Sequence, residues 1–310
     1  MAVKEIFHLP SSDGHSRLYG VIWKPEGKVR MVLQIAHGMI EHMGYYEEFA
    51  LRLTEAGIAV AGHDHLGHGR TAEKPEQFGF FAEKEGDRYL VKDLNRVRTY
   101  LQKQYENLPY FLMGHSMGSF MVRRYLTVFG EGLSGAILMG TGNQPKAAVL
   151  AGLALTSAAS GIKGAAYRSE KMQDIWRTFV NSRFRPCRTS MDWLTTDEQQ
   201  VDRFLADPYC SYLFTNSGYR DLLRMVWDSE SRRLAERIPK QLPVLFVSGQ
   251  DDPVGDFGKG VKRACDLFQE AGLLDVEMRL YPNCRHELVI EKDWQMAADD
   301  IRDWMDAQAE

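Results

Sequence analysis

YFLM at 110–113, GHSMG at 114–118 and SFMVRRYLTVF at 119–129 follow one another without a break. An apolar, strand-like run leads into a serine set between glycines, and a helix-like run leads away from it. A serine on a sharp turn at the end of a strand points its hydroxyl out of the sheet. Glycines at 114 and 118 leave no Cβ to clash in the tight bend. The helix that follows directs its first amides toward any oxyanion formed at that hydroxyl. The bare G-x-S-x-G pattern is weak in a chain with 27 glycines, and the strand before it and helix after it give it weight. Ser116 is therefore the candidate nucleophile.

Outward from this turn, strands and helices alternate. Strand-like runs occur at Leu18–Trp23, Met31–Ala36, Ile58–Ala61, Tyr110–Met113 and Gly135–Met139, with helical spacing over Tyr45–Ala56 and Gly86–Tyr105. Gly57 stands where a helix C-cap would. The alternation stops over 141–236, which is helical, aromatic and charged. It resumes with a strand at Pro243–Ser248, a helix at Val261–Ala271, a strand at Val276–Tyr281 and a last helix at Trp294–Ala307. Near-continuous apolar strands joined by helices predict an α/β fold with a mostly parallel sheet covered on both faces. The expected organisation is a core of residues 1–140 and 237–310, interrupted by a helical insertion at 141–236.

A serine elbow in such a fold takes its acid, and then its histidine, from later in the chain. Of the nine histidines, only His286 follows Ser116. It lies in YPNCRHE, just past the strand VEMRLY, where a loop reaches the C-terminal edge of the sheet. The acid is expected after PVLFVS, where Asp251 and Asp252 compete. Pro253 restrains the residue before it to an extended pose, which favours Asp252. After MVLQIA comes HGMIEHMGYY at 37–46. An HG loop there supplies one backbone donor to an oxyanion, and the residue after the nucleophile supplies the other. These amides are assigned to Met39 and Met117.

Those motifs, with GHDHLGHGR at 62–70, resemble the monoacylglycerol lipase and lysophospholipase branch of the α/β-hydrolase superfamily, the serine aminopeptidase S33-like group. The resemblance covers nearly the whole chain and extends to TTDEQQVDRFLADP at 195–208 in the insertion. It implies an eight-stranded α/β-hydrolase sheet, a helical cap at 141–236 and hydrolysis of carboxylic esters of monoacylglycerol or lysophospholipid type through an acyl-enzyme, with no cofactor. Tyr45 stands where the family often has Arg, Ser119 where GHSMGG has its last Gly, and Arg70-Thr71 where Gln-Ser is common. Glu41 and His115 are candidates either for substrate contact or for fixing the loop and filling space beneath the elbow. Two other readings are a proline-type aminopeptidase, with Glu198 or Asp202 meeting the substrate amine, and a non-catalytic ligand receptor on a hydrolase fold.

The longest uncharged run, Ala147 to Ile162, follows the strand GAILM. A helix apolar all round is normally buried. Leu150 and Leu153 are therefore expected to line an acyl tunnel above Ser116 or to lean into a lipid surface, unless the helix is packed wholly within the cap. The run is too short and mild to span a membrane. Hydrophobic residues at 44%, charged residues at 26% and a net charge of −4 exclude a disordered chain, a polytopic membrane protein and a basic nucleic-acid binder. The four cysteines form no CxxC pair, and the N-terminus has no apolar leader, which predicts free thiols in a reducing cytoplasm. His63-Asp64-His65-Leu66-Gly67-His68 lacks an aspartate at the fifth position of a zinc signature and is read as a structural turn, with no metal. The expected partner is a small acyl ester. Oligomeric state is not legible.

Overall fold

Strands of near-continuous apolar sequence must be covered on both faces. In the computed structural model, which describes residues 2–309, they are. The strands are β1 (Val3–Pro10), β2 (Arg17–Lys24), β3 (Met31–Ala36), β4 (Ile58–His63), β5 (Tyr110–His115), β6 (Gly135–Met139), β7 (Val244–Gly249) and β8 (Val276–Tyr281). They form one sheet in the order β1-β2-β4-β3-β5-β6-β7-β8. β2 is antiparallel to β1 and β4, and every other pairing is parallel.

The helices are α1 (Glu47–Thr54), α2 (Gly86–Gln104), α3 (Met117–Phe129), α4 (Lys146–Lys163), α5 (Glu170–Val180), α6 (Glu198–Ala206), α7 (Asn216–Ser229), α8 (Arg232–Ala235), α9 (Lys259–Glu270) and α10 (Trp294–Ala309). Along β5, Tyr110 and Leu112 join the core beneath α2, α3 and α9, while Phe111 and Met113 join the opposite core beneath α1 and α10. This is the two-residue alternation of a strand buried on both sides.

β1 is absent from the sequence reading because VKEIFHLP buries only Phe7, with Leu9 half-buried and the rest charged or exposed. Its position is fixed by Gly20 of β2, where an added Cβ would lie 2.1 Å from the Phe7 ring. The helix expected over 45–56 is divided. A 3-10 turn at Met43–Tyr46 precedes α1, and Tyr46 leaves helical geometry (φ −93°, ψ 8°) with its hydroxyl tied back to Glu41.

Between β6 and β7 the chain makes α4 to α8, with one isolated bridge, Arg168 to Thr215. Both ends of this insertion are tied to α3 by buried Arg123, which donates to Gly142 O, Asn143 Oδ1 and Ser229 O. α4 is not packed wholly within the insertion. Only Val149 and Thr156 are buried, while Leu150, Leu155 and Ile162 face outward. α4 packs chiefly on α7, with Gly152 set against Leu223, so one narrow stripe is covered and the rest is left out. All four cysteines are free. No helix among the described residues is long and apolar enough to cross a membrane.

Candidate active site

The parallel strands deliver their C-terminal ends to one edge of the sheet, and the candidate residues collect there. β5 ends at His115, and Ser116 follows with φ 49° and ψ −117°, a left-handed pose for a residue with a side chain. Such strain persists only where the surroundings enforce it. Here an added Cβ on Gly118 would lie 2.0 Å from Ala36 O, and one on Gly114 would lie 2.3 Å from Gly118 O. The flanking glycines thus let α3 start against the end of β3. Ser119, the departure from the family's glycine, donates from Oγ to Ser116 O at 2.6 Å and fits without displacement.

His286 is buried beside this turn. Its Nδ1 lies 2.9 Å from Asp252 Oδ1. Asp252 is buried and also accepts from Ser248 Oγ at 3.0 Å and from Val254 N at 2.8 Å. Burial opposes ionisation of Asp252, but His286 and these donors outweigh it and hold the carboxyl below its usual range. Asp251, the competing acid, is exposed. The Nε2 of His286 is buried and has no partner among the described residues, Ser116 Oγ included. Contacts of this kind often tighten only once a substrate is bound. Trp193 from the insertion covers the imidazole, with ring centroids 4.9 Å apart. Leu194 O accepts from Glu287 N at 2.7 Å, and Glu291 takes the N–H of Arg285 and both Thr195 and Thr196. The insertion is therefore bonded to the loop that carries His286.

In the HG loop, Gly38 N donates to Glu41 Oε2 at 2.8 Å. Met39 N and Met117 N donate to no protein group among the described residues. Glu41 and His115 lie inside the protein, bonded to each other at 3.1 Å. Tyr45 is half-buried against Phe204, and its hydroxyl is buried without a partner among the described residues. Leu153 is half-buried against the larger core, and Leu150 is 51% exposed. Glu198 and Asp202, on α6, both pair with Arg188 at the surface. Thr71 bonds Asp64 O and Tyr19 N, joining the turn after β4 to β2.

Among the described residues, two groups of side chains bring potential metal-ligand atoms within 4.8 Å: His42 with Asp207 and Cys210, and His115 with His286 and Glu287. In the first, His42 Nε2 is already bonded to Asp207 at 2.9 Å. In the second, His286 is committed to Asp252. A metal at the first place would have to displace that bond, and at the second it would have to compete with the His115–Glu41 bond. Sequence reasoning missed Glu287, Trp193, Ser248 and Glu291. Only Glu287 carried a signal, its place directly after His286.

His37, which opens the HG loop, clusters with His63, His65 and His68, all buried, with the His37 and His65 rings stacked at 3.9 Å between centroids. His65 N donates to His37 Nε2, which leaves the His37 proton on Nδ1, facing Gly38 O at 2.8 Å. Burial disfavours the charged form of each ring, pushing His63 down to about 3 and His68 to about 4. A histidine neutral in the fold but charged when unfolded removes stability as pH falls below about 6.5. His63→Leu is accordingly expected to gain about 1.4 kcal/mol per pH unit relative to the parent between about pH 6 and 4. Urea denaturation across that range measures it. Parallel stability curves would mean that His63 charges inside the fold.

The sheet order and the serine turn at the end of β5 define an α/β-hydrolase. Residues 27–293 match the family described as serine aminopeptidase, S33, and the chain belongs to that family. The monoglyceride lipase of Rattus norvegicus is 27% identical over 294 residues, covering 92% of this chain and 84% of its own. The monoacylglycerol lipase of Mycolicibacterium smegmatis is 25% identical over 301 residues and covers 96% of both chains. Among solved structures, a highly thermostable carboxyl esterase from Bacillus coagulans, in complex with glycerol, superposes with a TM-score of 0.92. It has 28% identity and covers 100% of both chains. A soluble variant of monoglyceride lipase from Saccharomyces cerevisiae shares the fold, with a TM-score of 0.79 at 18% identity over 100% of this chain and 97% of that one.

Proposed function

We propose that Ser116, His286 and Asp252 are the catalytic triad of this chain, a serine ester hydrolase that acts on small-molecule acyl esters. Ser116 Oγ attacks the ester carbonyl while His286 Nε2 takes its proton. Asp252 holds the Nδ1–H tautomer and stabilises the imidazolium. The Met39 and Met117 amides receive the oxyanion, and the alcohol leaves with the proton returned by His286. Water, deprotonated by the same histidine, then releases the acid. The observation that carries this reading is the buried His286–Asp252 pair at the same sheet edge as the left-handed Ser116.

In this reading residues 141–236 form a cap over the site, and the substrates are medium- or long-chain esters of monoacylglycerol or lysophospholipid type. The lipase names of the relatives support that class. So does α4, where half-buried Leu153 turns inward and exposed Leu150, Leu155 and Ile162 form an apolar surface suited to brief contact with lipid. Leu150, at 51% exposure, suits that surface better than an enclosed tunnel. An aminopeptidase reading is less well supported, because Glu198 and Asp202 are occupied by Arg188.

Leu153→Asp is expected to lower hydrolysis of p-nitrophenyl decanoate at least about tenfold more than that of the acetate, since several buried methylenes at about 0.8 kcal/mol each are in play. A panel of graded esters beside aminoacyl-naphthylamides checks both points. Equal loss on every chain length would leave Leu153 only a packing role. Faster turnover of the amides would turn the reading toward a peptidase.

A further inference from the structure

Behind His286 lies a buried acid pair that the triad does not use. Glu287 and Glu41 are 1% and 2% exposed and bonded to each other, which requires a proton between the two carboxyls. His115 sits against both, with Nδ1 3.1 Å from Glu41 Oε1 and Nε2 3.6 Å from Glu287 Oε2. On its other side His115 meets the His286 ring, with centroids 4.9 Å apart, and its Nε2 is 3.4 Å from His286 O. Tyr46 OH and Gly38 N add donors to Glu41 Oε2, at 2.5 and 2.8 Å. Glu287 Oε2 has no such donor.

This asymmetry decides where the charge rests. Burial opposes ionisation of both acids, but His115, Tyr46 and Glu287 reverse it for Glu41, which stays ionised. Burial and the neighbouring Glu41 charge hold Glu287 protonated well above the usual carboxylate range. Two carboxyls in contact cannot both ionise, so the pair carries one negative charge.

We propose that Glu41 and Glu287 are positioning residues of the hydrolysis, holding one shared negative charge behind His115 that favours the His286 imidazolium as the acyl group transfers. The proposal rests on the triad reading given above.

The groups around His286 leave this charge uncancelled. The imidazole faces Asp252 from the loop after β7, His115 from the end of β5, the neutral Trp193 ring from the insertion and the Glu287 carboxyl itself, within 4.8 Å. Arg285, its neighbour in the chain, turns away to Thr195 O and the Phe184 ring. The acid pair faces Tyr46, Tyr45, Cys210 and His115, with His37 and His68 behind Glu41 and the acids Asp252 and Glu291 beyond Glu287. No lysine or arginine among the described residues is bonded to either carboxyl.

The test is kcat/KM on p-nitrophenyl acetate between about pH 5 and 9 for Glu41→Gln, Glu287→Gln and the double variant. Each single change leaves one carboxyl to carry the charge, so the acidic limb moves by less than about 0.3 unit and activity falls a few-fold. The double change removes the charge. His286 then protonates less readily, so the limb moves down by about one unit, and kcat/KM falls about tenfold beyond the product of the single losses.

A purely structural role would lower activity and melting temperature without moving the limb, and that result overturns the proposal. So does a full shift in either single variant. Infrared difference spectra of the parent against Glu287→Gln give a readout that does not need the double variant to fold. A protonated-carboxyl C=O stretch present at about pH 8 in the parent and lost on substitution supports the shared proton, and its absence overturns it. Ser116→Ala is assayed alongside. If it stays active, the triad reading fails. If it is inactive while the double variant keeps the parent's limb, only the acid-pair proposal fails.

Discussion

Ser116→Ala and His286→Ala are each expected to lower kcat/KM for p-nitrophenyl butyrate about 10⁶-fold, and the double variant no further, because members of a triad act as a unit. The residual rate comes from the oxyanion donors and from binding, about 10³ to 10⁴ over water. Ser116→Ala should fold normally. Its Oγ makes no hydrogen bond that the structure depends on, and the strained φ of 49° is enforced by the approach of α3 to β3. Relief of that strain is not expected either, since alanine keeps the Cβ. Circular dichroism and melting temperature separate loss of chemistry from loss of fold. Losses that multiply in the double variant would mean that the two residues act in different steps.

Asp252→Asn is expected to lower kcat/KM about 10⁴-fold, while Asp251→Asn stays within about threefold. An asparagine at 252 can present its NH₂ to His286 and hold the imidazole in the tautomer that places the proton on Nε2, where a base is needed. It also leaves the imidazolium without a countercharge. Burial makes the change larger: Asp252 is 0% exposed, and its charge is set against His286 rather than against water. Asp251 is exposed and its loss touches neither effect. Steady-state kinetics of the two variants decide between the acids, and the reverse ranking would move the role to Asp251.

The parts of the fold that depend on neighbours in sequence were legible. YFLM, the glycine-flanked serine and the helix after it announce β5, the elbow and α3 because strand, turn and helix signals are local. Chain order singles out His286, and Pro253 favours Asp252 over Asp251; in the fold Asp252 is the buried one that meets His286. What was hidden depends on contacts between distant segments. β1 carries one buried side chain, Phe7, and takes its place only by pairing with β2. Which stripe of α4 is covered depends on α7, against which Gly152 meets Leu223. Glu41 reads as a loop residue or a substrate contact from its neighbours alone, because Glu287, which meets it, comes from the loop after β8, almost 250 residues further along the chain.

The central claim is that Ser116 forms the covalent acyl-enzyme, and active-site labelling tests it most directly. The protein is treated with a fluorophosphonate and digested, and the modified peptide is identified by mass spectrometry. A single phosphonyl adduct on the peptide that carries Ser116, absent from Ser116→Ala and slowed in His286→Ala, is the predicted result. An adduct on a different serine, or labelling of Ser116→Ala at the parent's rate, would contradict it.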